Sequence, residues 1–262
     1  MASDPTASQL AQEPMAPPLR SPRTALRWLT YLLLIPLIAL ATVFFGCISL
    51  ICGLWDKSGR QQHAVARAWA QVLLWISLSP VEVVYPERLR NPGPAVFASN
   101  HLSYYDTPVL FARLPFQFRI LAKQSLWKLP FVGWYLNRSG QVPIDSDSPR
   151  SAIAGLLRGV KTLQAGYPLV LFPEGGRSAS GSLKPFQSGA AFMALRAQVP
   201  LIPIALIGTH ELLPIHVYHL TPRPLKVVAG EPISTLGRTT RDADALTAEL
   251  RAAIETLYQQ HA

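Results

Sequence analysis

The chain has 262 residues, enough for one sizeable domain and an accessory segment. Its formal charge is +9 and its pI near 9.9, yet charged residues make up only 15% and mean hydropathy is positive. Soluble nucleic-acid binders are basic and densely charged, so this pairing of basicity with apolarity argues against that class and for an anionic membrane surface.

Residues 1–22, rich in Pro, Ser and Ala, cannot bury a core and are expected to be disordered. From Trp28 to Trp55 no charged residue occurs, while Arg20, Arg23 and Arg27 precede the run and Lys57 and Arg60 come after it. A straight helix of that length rises about 42 Å at ~1.5 Å per residue, more than a ~30 Å hydrocarbon layer needs. It therefore either tilts or breaks near Pro36, Gly46 or Gly53 into a re-entrant hairpin. A secretory signal fits less well, since its apolar region is only ~7–15 residues long and no small-residue cleavage site stands out. Basic residues at both ends leave the orientation open. Cys47 and Cys52 lie within the run and read as small hydrophobes in a reducing compartment.

Residues 61–79 place Val65, Trp69, Val72, Leu73 and Ile76 on one helical face, with Trp75 near its edge. This helix either lies flat at headgroup level or packs against the domain C-terminal to it. Residues 23–79 are thus expected to form a membrane-associated helical segment, its N-terminal part embedded. From Val81 short apolar strands alternate with helices. Val81–Tyr85, Ala95–Ser99, Phe118–Ala122, Val142–Asp145, Leu169–Phe172, Leu201–Ile207 and Leu225–Ala229 read as strands. Stretches near 107–113, 125–136, 149–165, 188–198 and 242–260 read as helices. The alternation predicts an α/β domain over residues 80–262, a mixed sheet covered by helices.

Within that domain, Asn100-His101-Leu102-Ser103-Tyr104-Tyr105-Asp106 joins the end of a strand to a helix start at Asp106-Thr107-Pro108. Asp caps orphan amides and Pro is tolerated in the first turn. The loop is short enough to fold the Asp106 carboxylate onto His101. A carboxylate on one ring nitrogen fixes the tautomer and leaves the other nitrogen free to take a proton from a hydroxyl. The plainer reading is a loop histidine beside a capping aspartate.

Leu169 to Ser178 repeats the pattern of strand and then polar loop. Gly175 and Gly176 allow a tight turn whose amides face an anion, and Arg177 offers a planar fork suited to phosphate. Alone, this also reads as a turn with a solvated arginine. It is neither a Walker loop nor a dinucleotide fingerprint, and the chain contains no Gly-x-Ser-x-Gly elbow. His216 and His219 lack a third ligand at metal spacing, so no metal site is expected. Trp127 and Trp134 read as core or membrane-facing.

Together, Asn100-His101 with Asp106, Phe172-Pro173-Glu174-Gly175 with Arg177-Ser178, and Val199-Pro200-Leu201-Ile202-Pro203 keep a specific order and spacing. They resemble the glycerolipid acyltransferase superfamily, most closely the bacterial-type 1-acylglycerol-3-phosphate acyltransferases, over roughly residues 65–235. The resemblance implies that His101 and Asp106 form a catalytic dyad. It also implies that Lys123 and Arg177 hold the acceptor phosphate and that Glu174 contacts or positions the acceptor. The amides of Gly175 and Gly176 are candidate oxyanion donors, and His210-Glu211, after a strand, is a weaker candidate to border the acyl groove.

The reaction implied is transfer of an acyl chain from acyl-CoA or acyl carrier protein to the sn-2 hydroxyl of lysophosphatidic acid, giving phosphatidic acid. No cofactor, metal or nucleic acid is implied. The setting is the inner membrane among its lipids, with the catalytic domain on the cytoplasmic side. Two departures stand out: Ile144-Asp145 precedes Ser146 where the family usually has Arg, and Gly176 replaces a usual Thr. Arg138 or Arg150 is a candidate substitute for the missing cation. Both departures leave room for another lysolipid acceptor, in phospholipid remodelling or ornithine-lipid synthesis. Two further rivals are a membrane esterase, with Ser178 and Ser180 nearby, and a non-catalytic lipid-binding protein.

Overall fold

The structure, a computed structural model, describes residues 24–262 apart from 91–92, 130–131 and 146–147. The stretch expected to be disordered, 1–22, lies outside the described residues, as do Pro92 and Ser146. The described chain opens on a long helical rod: α1 (Thr24–Leu29), a π-helical turn (Thr30–Leu34) and α2 (Ile35–Cys52). Pro36 has no N–H and its ring crowds the carbonyl four residues back. The wider π turn just before it absorbs that mismatch, and the helix runs on. Breaks at Pro36 and Gly46 therefore do not occur, and the helix stops at Gly53. Leu26–Cys52 is long and apolar enough to cross a membrane, and only 11% of its apolar window is buried, so it is no core helix.

Asp56 turns the chain back. Its carboxylate accepts the N–H groups of Ser58, Gly59 and Gln61 at 3.0, 3.1 and 2.7 Å. Gly59, at φ +70°, takes a left-handed conformation without strain. Helix α3 (Arg60–Ile76) then returns along α2, tied by Trp69 Nε1 to Thr42 Oγ1 (3.1 Å) and by Gln62 Nε2 to the Ser49 carbonyl (3.2 Å). Its other side packs on the α/β domain, with His63 set between the rings of Phe111 and Phe118. Of the two readings of residues 61–79, packing against the domain is the one the structure bears out, although Trp75 and Leu78 remain exposed.

The sheet consists of β1 (Val81–Val84), β2 (Val96–Ser99), β3 (Arg119–Lys123), β4 (Val142–Ile144), β5 (Leu169–Leu171), β6 (Leu201–Ile207) and β7 (Leu225–Ala229). Its order is β1-β7-β6-β2-β5-β3-β4, parallel throughout except for the antiparallel β6–β7 pair. The remaining helices are α4 (Asp106–Arg113), α5 (Val132–Arg138), α6 (Pro149–Gln164), α7 (Gly189–Ala197), α8 (Thr209–Leu212) and α9 (Ala243–His261). Phe97, Val170 and Ile202 point to the face covered by α3 and α4, whereas Val96, Ala98, Leu169 and Leu171 point to the face packed with residues of α6, α7 and α9. Strands buried on both faces carry continuous apolar runs, which is why these segments read so plainly as strands.

Two expectations need correcting. Residues 125–136 do not form one helix: a 3-10 turn (Gln124–Lys128) precedes α5, and Leu129 between them is extended at φ −79°, ψ 127°. Leu129 precedes Pro130, whose ring disfavours the helical region for its predecessor. The one-turn helix α8 after β6 was also not expected from the pattern.

Because β6, β2, β5, β3 and β4 run parallel, their carboxyl ends open on one edge of the sheet. The residues after β2, β5 and β6 and the end of β3 bring His101, Glu174 to Arg177, His210 and Lys123 to that edge. Open α/β sheets bind their ligands there.

Candidate active site

Where β2 ends, Asn100 is fully buried and its side chain stands in for a strand residue. Its Nδ2 donates to the Leu206 carbonyl (2.9 Å) and its Oδ1 accepts the Leu206 N–H (2.7 Å). The loop thus leaves β2 from a point fixed against β6. His101 comes next, 9% exposed, with Nδ1 2.8 Å from Asp106 Oδ2. The same oxygen accepts the N–H groups of Leu102 (2.7 Å) and Ser103 (2.8 Å). Nδ1 must donate to that carboxylate oxygen, so Nε2 keeps its lone pair. The ring lies flat on Phe172, with centroids 3.8 Å apart at 11°.

The capping role expected of Asp106 is not the one found. Asp106 is the first residue inside α4, Tyr105 holds the cap position, and the buried carboxylate turns back onto the loop before the helix. A carboxylate drawn to two loop amides and an imidazole at once is worth more there than on one helix amide.

Strand β5 lies beside β2, with Leu171 level with Ala98, so the loop after it runs along His101. Glu174 Oε1 accepts the His101 N–H (2.6 Å), Oε2 accepts the Lys184 N–H (3.0 Å), and the Ser178 N–H donates to the His101 carbonyl (3.0 Å). Burial pushes the Glu174 carboxyl up to about 7, against the opposing pull of the Lys184 and His101 amides, and the Asp106 charge adds to the rise. Both Glu174 oxygens engage backbone amides, so the geometry is that of a positioning group.

Gly175 sits at φ +69° and its N–H donates to the Phe172 carbonyl (3.1 Å). That positive φ favours glycine, and a Cβ there would also displace the end of the Gln187 side chain, 2.7 Å away at Nε2. That amide is engaged and is no oxyanion donor, contrary to expectation. At Gly176 a Cβ would meet nothing within 4 Å.

Arg177 is half-buried; its Nε donates to the Ser103 carbonyl (3.1 Å) and its guanidinium lies over the Tyr104 ring, 4.5 Å from the centroid. The structure thus brings Arg177 against the dyad loop. Lys123 is exposed at the end of β3, two strands from β2, which strand spacing makes roughly 10 Å. Arg138 Nη1 donates to the Gly53 carbonyl (2.7 Å), tying α5 to the end of α2, and Arg150 is exposed at the start of α6.

The partners of two residues singled out in the sequence were not legible there. Asn100 carried the signal of a polar side chain at the exit of a buried strand, but its partner lies 106 residues away. His210, buried on α8, places Nδ1 3.4 Å from the Leu102 carbonyl, behind the dyad loop. No group of three or more metal-ligating side chains occurs among the described residues.

An apolar cavity of about 340 Å³ is lined in part by Thr107, the residue after Asp106, though by neither dyad residue. Phe45 and Leu50 of α2, Trp69 of α3, Ala122 of β3 and Leu136 of α5 line it. A larger, open depression between residues 185–188 and α9 likewise includes neither dyad residue.

Residues 80–207 match the Acyltransferase family model. Chloroplastic 1-acyl-sn-glycerol-3-phosphate acyltransferases of Brassica napus and Arabidopsis thaliana are 33% and 35% identical over 166 residues, 62% of this chain and 47% and 45% of their own lengths. A yeast 1-acyl-sn-glycerol-3-phosphate acyltransferase, from Saccharomyces cerevisiae, is 32% identical over 192 residues, 71% of this chain and 63% of its own. The chain thus spans about half the length of the first two relatives. The crystal structure of the 1-acyl-sn-glycerophosphate acyltransferase from Thermotoga maritima has the same fold, with a TM-score of 0.74 at 22% identity over 88% of this chain and 95% of that one.

Proposed function

We propose, from the match of residues 80–207 to the Acyltransferase family model, that this chain is an acyltransferase and that it acylates the sn-2 hydroxyl of lysophosphatidic acid to give phosphatidic acid. The donor is acyl-CoA or acyl carrier protein. His101 Nε2 takes the proton of the acceptor hydroxyl as its oxygen attacks the thioester carbonyl. Collapse of the tetrahedral intermediate breaks the C–S bond, and the proton passes from His101 to the departing thiolate. Asp106 steadies the imidazolium formed between these steps.

The acceptor hydroxyl is itself the nucleophile, so no enzyme serine is needed, and the scheme calls for no cofactor. Arg177 and Lys123 receive the acceptor phosphate, the Gly176 amide is left as a donor for the oxyanion, and the cavity beside Thr107 takes an acyl chain. Leu26–Cys52 holds the site at the inner membrane, facing the cytoplasm, where lipid substrates reside.

The observation that carries this reading is the 2.8 Å bond from His101 Nδ1 to a carboxylate oxygen already fixed by two amides. Membranes carrying the protein, incubated with labelled acyl-CoA and a panel of lysolipids, test it. Acylated lysophosphatidic acid is expected from the wild type, and a loss of about 10³-fold or more from His101→Ala with membrane association intact. Equal activity in both removes His101 as base, and release of free fatty acid alone marks an esterase. The space beside Gly176 and the Ser146 departure favour a second reading, transfer to another lysolipid, which the same panel separates. Absence of turnover on every acceptor marks a lipid-binding protein.

A further inference from the structure

The segment from Gln124 to Trp134 is not used by the chemistry above. Between Lys123 and Arg138 the chain carries Lys128 and no acidic residue. Leu129 is 48% exposed and Trp134 58%. This exposure is built into a held shape. Gly133 packs so closely on the 3-10 turn that a Cβ there would run into the Trp127 carbonyl. The bond from Arg138 to the Gly53 carbonyl fixes α5 at the end of the apolar rod. Leu126 and Val132 are exposed on the outside and also line the cavity beside Thr107, so the cavity reaches the surface between them.

An apolar patch with interfacial tryptophan and lysine, continuous with a membrane-embedded helix, matches a bilayer's headgroup boundary better than it matches water. We propose that Leu129, Val132 and Trp134 form a second membrane contact, docking the catalytic domain onto an anionic bilayer with Lys128 against lipid phosphate. This rests on the reading of Leu26–Cys52 as membrane-embedded, since that rod sets the level of the patch. Docking would seal the cavity mouth against the acyl region, letting a lipid chain enter without crossing water. Leu236, the most exposed large hydrophobic residue among those described, offers a contrast. Its neighbour Thr235 bonds the Val199 carbonyl at the start of β6, at the opposite edge of the sheet, where no bilayer contact is expected.

The test uses the full chain in phosphatidylcholine–phosphatidylglycerol vesicles, with Cys47 and Cys52 replaced by Ala and an environment-sensitive fluorophore on Leu129→Cys or Leu236→Cys. The label at position 129 is expected to emit at shorter wavelength and to be quenched by lipids brominated near the headgroup. The label at 236 should behave as in water. A label at 129 that matches the one at 236 overturns the proposal. So does one shielded only as protein density rises and untouched by brominated lipid, which would mean a second copy covers the patch.

In parallel, Leu129→Glu combined with Trp134→Glu should lower kcat/KM about tenfold for a lysolipid presented in vesicles. It should spare a short-chain, water-soluble acceptor; equal loss on both overturns the proposal. Quenching at 129 in a protein that transfers no acyl group would defeat the acyltransferase reading alone. An active enzyme with an aqueous label at 129 would defeat only the docking surface.

Discussion

His101 and Arg177 sit on neighbouring loops of one sheet edge, and the bonds around them differ in kind. The His101 amide, carbonyl and Nδ1 are all engaged, and its ring is stacked, so only Nε2 is left to act. Arg177 is held by one bond from Nε and by the face of Tyr104, and Lys123 stands exposed. Neither cation forms an ion pair with a carboxylate among the described residues. Two tasks are divided between them. Proton transfer needs atoms fixed in advance, because a base misplaced by about 1 Å can cost two orders of magnitude. Recruiting an anion needs charge left unneutralised until the ligand arrives, since a protein carboxylate already paired there would compete with the phosphate.

The largest expected effect after loss of His101 itself is Asp106→Asn, which removes the acceptor that fixes the tautomer. A fall in kcat of about 10²–10⁴ with little change in KM is expected from steady-state kinetics. A change confined to KM would undo this division by moving Asp106 to the binding side. Next, Arg177→Ala should raise KM for a phosphate-bearing acceptor about tenfold, worth ~1.4 kcal/mol, while kcat holds within a small factor. Were it silent with the phosphate acceptor, the cationic rim would lose its assigned role.

A smaller and more finely resolved effect comes from Glu174. Its carboxyl rises from the usual 4.5 to about 7 on folding, so between those values the folded protein holds a proton that the unfolded chain releases. Its contribution to stability is therefore complete below about 4.5 and lost as pH climbs through about 7. Glu174→Gln removes that slope. The variant's melting temperature relative to wild type should gain a few degrees between about pH 5 and pH 8. His63, whose burial holds it at about 4, adds an opposite slope in both proteins and drops out of the difference. A flat difference would mean that Glu174 is ionised across the range and that burial does not dominate its environment. The same variant should lower kcat more than it raises acceptor KM, because Glu174 bonds the His101 backbone.

Much of the fold was legible because its signals are local. Apolar runs such as Leu201–Ile207 read as strands buried on both faces, and the uncharged run from Trp28 to Trp55 read as apolar helix, with only its breaks left open. The dyad pairing was legible for the same reason, since five residues separate His101 from Asp106. Where local signals competed, the pattern misled. Apolar spacing over 125–136 hid the stop imposed by Pro130, and Asp106 at a helix start read as a cap when its carboxylate faces the other way.

The set of elements, the membrane-length helix and the chemistry carried by each loop are written into the chain by neighbours within a few turns of one another. The placing of β5 against β2, which lets Glu174 reach the His101 amide across 73 residues, is a property of the assembled sheet. So are the seat of the Asn100 side chain against Leu206 and the cavity beside Thr107. Strand order depends on which faces of the whole sheet each crossing helix can cover, and no window of sequence holds that sum.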